Sequence, residues 1–216
     1  MKILVAAATR AELSGLYAAF GFPETDFVQT PEFDVLITGV GMTATAFALG
    51  QHLPGNYSMV LNLGIAGCYN RDIPLGTLLN ITADEFSELG AEDNDSFLTI
   101  DDLGFGRSKY TAQYKHNPAL SAFSTFSDSL EKVNGITVNK VHGNSLSIAD
   151  IVRRLNPVTE SMEGAAVFYC CAQTGTPCLQ IRSISNYVEV RNRDNWKIGL
   201  ALNNLNNWAI NFLTNH

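Results

Sequence analysis

The chain of 216 residues carries 14 Lys and Arg against 21 Asp and Glu, for a formal net charge of −7, and 46% of it is hydrophobic against 16% charged. That profile argues against a disordered chain, and the acidic balance argues against DNA or RNA as partner, because such binding rests on basic surface that neutralises phosphates. No stretch approaches the ~20 apolar residues of a membrane span. The expectation is a cytoplasmic protein with a small-molecule partner, no nucleic acid and no membrane.

Residues 2–8 form a short, almost wholly apolar run, the pattern of a central strand covered on both faces. The run breaks at Arg10 and Glu12, sooner than the roughly 7–15 apolar residues of a secretory signal core, so it is not read as a leader. Thr9 caps a helix predicted over 10–20 and puts Glu12 in its first turn, where the helix dipole alone favours an acid. Its place at the carboxyl end of the first strand makes Glu12 a candidate for chemistry as well.

A second strand over 33–38 runs into Gly39, Val40, Gly41, Met42, Thr43 and Ala44, which open an alanine-rich helix. The spacing is that of the G-x-G-x-x-A dinucleotide fingerprint. That fingerprint expects an acid about 20 positions on to hold a ribose. Here the first acid beyond the next strand is Asp72, so close helix packing is the better reading and no cofactor is expected. A third strand over 59–63 leads into Gly64, Ile65, Ala66 and Gly67, a small-residue turn that either brings backbone amides to a ligand or simply reverses the chain.

A fourth strand is expected over 77–83, and the acid-rich segment 84–110 reads as irregular, either functional or mobile. A helix over 117–130, a strand over 135–142, a loop over 143–147 that carries Leu146, and a helix over 148–155 follow. His142 alternates with apolar neighbours and reads as a satisfied core histidine. From Val158 an extended segment reaches Ser161, Met162, Glu163 and Gly164, then a helix over 165–173 that is apolar nearly all round and so buried. A strand over 178–181 ends in the polar run Arg182, Ser183, Ile184, Ser185 and Asn186, so this strand-helix-strand unit presents two polar clusters to one crevice. Leu205, Trp208, Ala209, Phe212 and Leu213 mark one buried face of a last helix. Cys68, Cys170, Cys171 and Cys178 lack metal-ligand spacing, read as buried free thiols, and no metal is expected.

If the strands are parallel neighbours, Glu12, Gly41, the residues Gly64 to Gly67, Glu163, Arg182, Ser185 and Asn186 share one crevice. Two carboxylates, an arginine and a carboxamide suit a reaction through a cationic sugar, in which carboxylates stabilise positive charge and one activates water.

On Glu12, the turn from Thr38 to Gly41, the run from Asn62 to Gly67, Ser161-Met162-Glu163 and the run from Arg182 to Asn186, the chain resembles the nucleoside phosphorylase and nucleosidase superfamily along nearly its whole length. Glu88 to Asp93, Ser185 to Glu189 and Arg191 to Lys197 resemble its futalosine hydrolases most. The resemblance implies one α/β domain over 1–216, a three-layer α/β/α sandwich around a mixed, largely parallel sheet, assembled as a homodimer or larger homo-oligomer. It also implies a purine nucleosidase that releases hypoxanthine from futalosine in menaquinone biosynthesis. Glu12 would activate water, Arg182 would orient Glu12, Glu163 would hold the ribose hydroxyls beside Met162, and Ser185 would place Asn186 at the base. Gly41, Ile65, Ala66, Gly67 and Leu146 would contact the substrate; Arg191 and Arg193 are either solvated in a polar loop or, one of them, paired with the benzoate of its 5′ extension.

One departure is chemically readable. Methylthioadenosine nucleosidases carry aspartate where this chain has Asn186, and a carboxamide can donate to O6 of hypoxanthine while accepting the N7 proton, so Asn186 favours a 6-oxopurine. Asn62 and Leu63 stand where phosphorylases of the superfamily place an arginine for phosphate, which favours water as nucleophile. The alternatives are a nucleosidase or phosphorylase acting on inosine or methylthioadenosine and, from another class, a non-catalytic nucleotide-binding sensor.

Overall fold

A computed structural model describes residues 2–54, 57–112 and 128–215, and the helix expected over 117–130 lies, but for its last residues, outside them. The strands are β1 (Ile3–Ala7), β2 (Phe27–Gln29), β3 (Phe33–Ile37), β4 (Met59–Cys68), β5 (Leu78–Phe86), β6 (Gly90–Asp93), β7 (Ser96–Thr99), β8 (Lys109–Thr111), β9 (Glu131–Thr137), β10 (Thr159–Ser161) and β11 (Cys178–Tyr187). The α-helices described are α1 (Ser14–Phe20), preceded by a 3-10 turn at Arg10–Leu13, α2 (Met42–His52), α3 (Ser145–Leu155), α4 (Gly164–Thr174) and α5 (Ile198–Thr214).

Alternation along the central strands builds two cores. Val5, Ala7, Leu61 and Leu63 point to one side and pack with Leu16 of α1 and Leu205, Ala209 and Phe212 of α5. Leu4, Ala6 and Val60 point to the other and pack with Leu49 of α2 and Val167 and Phe168 of α4. Both faces of β1 and β4 are therefore covered, which is why those runs are almost uninterrupted hydrophobics. The result is three layers, helices on each side of a mixed sheet.

The main sheet runs β10-β9-β5-β11-β4-β1-β3-β2, with β8 on β5. Its path also bends back on itself: β10 pairs parallel with β9 and antiparallel with the far end of β4, through Thr159 opposite Cys68 and Glu160 opposite Gly67. Strands β4, β11, β5, β9 and β10 thus close a ring. The strand-helix-strand unit at 158–187 is real, but it is not a parallel crossover, because β4 pairs parallel with β11 and antiparallel with β10. Its two polar clusters meet through β4, with three-residue β10 laid across the end of that strand.

Several boundaries differ from the expectation, for one reason. Pairing carries a strand on wherever a neighbour offers a ladder, even through polar and small residues. Gly64 to Gly67 are not a turn but part of β4, held against Arg182 to Asn186 of β11, which is itself strand through Tyr187. The segment 84–110 is ordered by the end of β5, the β6–β7 hairpin and β8. The strand expected over 135–142 lies instead at Glu131–Thr137, where it pairs with β5. Thr9 does cap the first turn, with a full capping box to Glu12. The four cysteines are buried and free. Among the described residues, no helix is long and apolar enough to cross a membrane.

Candidate active site

Where the ends of β4 and β11 meet β10, a cleft of about 290 Å³ opens, lined by Glu12, Ile65, Ala66, Gly67, Met162, Glu163, Ser185 and Asn186 and flanked by Val40 and Trp196. A larger cavity of about 510 Å³, bordered by Leu89, Ile100, Phe105 and Tyr169, is mostly apolar and, among the described residues, has Arg107 as its one charged lining residue. A third cavity of about 450 Å³ has carboxylates too, Glu88, Glu92, Asp95 and Asp150, but these are exposed, so among the described residues it is the smallest cleft that pairs buried carboxylates, and the chemistry is read there.

Glu12 serves the fold and the cleft together. Its Oε2 accepts from the N–H and hydroxyl of Thr9 at 3.0 and 3.1 Å, closing the capping box. Its Oε1 accepts from the N–H of Ile65 at 3.2 Å. Burial raises its pKa above the usual carboxylate value, the Arg182 guanidinium pulls it back, and the neighbouring Glu163 charge pushes it up again. A carboxylate so placed is a stronger base than one in water.

Arg182 lies behind the cleft rather than in its wall, 2% exposed. No ion pair joins it to Glu12; both side chains instead press on Gly64, where a β-carbon would fall 2.6 Å from Arg182 Nη1 and 3.0 Å from Glu12 Oε1. Gly64 is thus required for side chains to approach each other across the strand, a different role from the backbone approach that the sequence suggested.

Glu163 occupies the position before α4 without capping it through its side chain, and its Oε1 instead accepts from the N–H of Gly41 at 2.9 Å. Gly41 holds φ at +92°, a conformation that side chains rarely adopt, so the glycine spacing of the apparent fingerprint serves this contact and the start of α2. Ser185 is an extra residue in β11: the register against β4 slips between Ile184 and Asn186. Such a bulge re-aims side chains. The Ser185 hydroxyl lies 2.8 Å from Asn186 Oδ1 and 3.2 Å from the Ala66 carbonyl, while Asn186 Nδ2 donates to the Tyr187 carbonyl at 3.0 Å. The amide is thereby oriented with one N–H and one lone pair to spare. Gly67 leaves it room, since a β-carbon there would come within 3.3 Å of Nδ2.

The remaining expected residues lie at or beyond the rim. Arg191 and Arg193 are exposed and stack on Trp196, 5.1 and 5.7 Å from its ring centre. Their loop is pinned by Glu189, which accepts from Asn195 at 2.9 Å and pairs with Arg71. Leu146 is 79% exposed in the first turn of α3 and does not reach the cleft. His142 is satisfied, as expected, but outside any strand: its Nδ1 contacts Glu160, which also accepts from Tyr69 at 2.6 Å. Sequence reasoning did not single out Trp196, although it stands inside the Arg191 to Lys197 motif. Nor did it find Asp84, Gln180 and Thr137, which join Asn62 in a buried polar row under the cleft.

The Phosphorylase superfamily model matches residues 33–213. A futalosine hydrolase of Streptomyces coelicolor is 32% identical over 94% of this chain and 91% of that protein, and one of Thermus thermophilus is 27% identical over 80% and 77%. The native futalosine hydrolase of Helicobacter pylori superposes with a TM-score of 0.82 at 16% identity, covering 100% of this chain and 98% of that one. The 5′-methylthioadenosine/S-adenosylhomocysteine nucleosidase of the same organism, bound to butyl-thio-DADMe-Immucillin-A, gives 0.81 at 16% identity with 100% and 99% covered. The structures share the fold and the sequences narrow the group: this chain belongs to the phosphorylase superfamily and, within it, to the futalosine hydrolases, a family of N-glycosyl hydrolases.

Proposed function

We propose that the cleft hydrolyses the N-glycosidic bond of futalosine, releasing hypoxanthine and dehypoxanthinyl futalosine, in the cytoplasm, as a homodimer or larger homo-oligomer serving menaquinone biosynthesis. Glu12 takes a proton from a water whose oxygen attacks C1′ as the C1′–N9 bond breaks and its electron pair leaves on the purine. Glu163 accepts from the ribose hydroxyls and, with Glu12, offsets the positive charge that develops on the sugar. At the other end of the cleft, Asn186 donates its spare N–H to O6 and accepts the N7 proton of the departing base, which comes from solvent. Arg191 and Arg193, stacked at the rim on Trp196, receive the benzoate of the 5′ extension.

The observation that carries this reading is the charge of the wall: among the described residues, Glu12, Glu160 and Glu163 line the cleft and no lysine or arginine does. Arg10, on the 3-10 turn that carries Glu12, is turned away to Asp26 at 3.4 Å and to the Glu24 carbonyl. A phosphate dianion there would be buried among carboxylates without compensation, whereas neutral water is not penalised. Incubation with futalosine, inosine and methylthioadenosine, each with and without phosphate, tests it. Phosphate-independent hypoxanthine release from futalosine is the expected result. A sugar phosphate product would establish phosphorolysis, and tight binding without turnover would establish a sensor.

A further inference from the structure

Beneath the cleft lies a row of buried polar side chains that none of these steps uses. Asp84 on β5 is 1% exposed; its Oδ2 accepts from Gln180 Nε2 and its Oδ1 from the Thr137 hydroxyl, each at 2.8 Å. Gln180 Oε1 accepts from Asn62 Nδ2 at 2.9 Å, and Asn62 Oδ1 accepts from Arg182 Nη1 at 3.4 Å. At the opposite end Thr137 Oγ1 accepts from the N–H of Ala165 at 2.7 Å, in the first turn of α4 just after Glu163. Gly164 completes the arrangement, because a β-carbon there would fall 2.0 Å from Asp84 Oδ2.

The two ends fix the direction of the row. A guanidinium has only donors, an ionised carboxylate has only acceptors, and each amide between them carries one of each. With Asp84 as acceptor, Gln180 must turn its NH2 to Asp84 and its oxygen to Asn62. Asn62 must then turn its own oxygen to Arg182. Reversal would set two donors against each other at an arginine whose Nε is already buried without a hydrogen-bond partner.

We propose that Asp84, Gln180 and Asn62 are positioning residues: a relay of fixed polarity that holds Arg182 beside Glu12 by presenting it an acceptor, while Asp84 and Thr137 anchor the helix start that carries Glu163. Its effect on turnover rests on the hydrolytic reading above. The electrostatics point the same way, since Arg182 draws down the pKa of Glu12 and of Asp84 alike, so one buried cation is shared by a carboxylate in the cleft and one below it.

Reversing the row tests this. In Asp84→Asn a single amide oxygen stands where Gln180 and the Thr137 hydroxyl proton each need an acceptor, and in Asn62→Asp two acceptor-only groups flank Gln180. The double substitution inverts every bond between positions 62 and 84 yet leaves Arg182 an acceptor and Thr137 an acceptor. Each single is expected to lower kcat for futalosine roughly 10- to 100-fold, with KM within about threefold, and the double to recover to within about tenfold of wild type. Melting temperatures should follow the same order, with the double above either single. A double whose kcat and melting temperature are no better than the product or sum of the singles overturns the relay, as do singles with wild-type kcat. If a single does not fold, a folded and active double supports the relay and an unfolded double overturns it. A wild-type protein that releases no hypoxanthine would overturn the hydrolytic reading instead, and the melting temperatures would still decide the relay.

Discussion

The floor of the cleft and its rim are built on opposite principles. On the floor, Glu12 and Glu163 are each 9% exposed and Arg182 is 2% exposed, and each side chain is placed by a backbone amide, a glycine or another buried polar group. At the rim, Arg191 and Arg193 are exposed and their side chains lie stacked on Trp196. A buried charge without partners is costly, so the floor must be assembled before any ligand arrives. Exposed guanidinium groups are solvated, and they take their final geometry from whatever binds. Substitutions on the floor should therefore alter the chemical step, and substitutions at the rim should alter affinity.

The largest effect is expected at Glu12. Glu12→Gln should lower kcat by roughly 10²- to 10⁴-fold, the usual contribution of a general base. In the wild type, kcat/KM should fall as pH drops through a Glu12 pKa lying above 4.5, and the variant should lose that acid limb. A variant that kept both its rate and its acid limb would move the base elsewhere. Gly64→Ala comes next: its β-carbon would meet Arg182 Nη1 at 2.6 Å, so kcat should fall and the melting temperature drop, on the scale of about 1–3 kcal/mol for an overpacked core. An unchanged protein would show that the floor is loosely held.

Asn186→Asp should reduce cleavage of hypoxanthine nucleosides by roughly 5- to 150-fold, the worth of one mismatched buried hydrogen bond, while leaving the melting temperature nearly unchanged. Undiminished turnover would remove Asn186 from base recognition. Smaller still is a pH effect below the floor. Burial pushes the Asp84 carboxyl up to about 6 from an ordinary 3.8, because desolvation outweighs its hydrogen bonds from Gln180 and Thr137 and the attraction of Arg182. The native protein then binds the extra proton between those values, so this carboxyl contributes stability at low pH that is lost as pH rises through about 6. Denaturant midpoints should show that slope in wild type and lose it in Asp84→Asn. At the rim, Arg191→Ala and Arg193→Ala should raise KM for futalosine a few-fold at most and leave kcat alone, in line with exposed charge pairs. An unchanged KM in both would dismiss them as benzoate partners.

Much of the floor was legible in the chain itself. Thr9 and Glu12 announce a capping box, the apolar run of α4 announces burial, and a strand end rich in Arg, Ser and Asn is unusual enough to mark a site. Less legible was anything that depends on strand pairing. Gly64 to Gly67 looked like a turn, and Arg182 to Asn186 like a polar run at the end of a strand, because small and polar residues disfavour strands locally. They are strands because β4 and β11 pair with each other along their whole length.

Sequence alone determined which residue types could supply carboxylates, a carboxamide and a guanidinium, and through the almost uninterrupted apolar runs of its central strands it determined the two-sided core. The tertiary structure decided which of them meet. β10 folds back on the end of β4, the bulge at Ser185 turns the Asn186 amide, and Gln180 with Asp84 sets the direction of the hydrogen bonds to Arg182. The reason is physical: local periodicity fixes the face on which a side chain lies, but the partners of a buried polar group come from distant segments of the chain and are assigned only when the sheet closes.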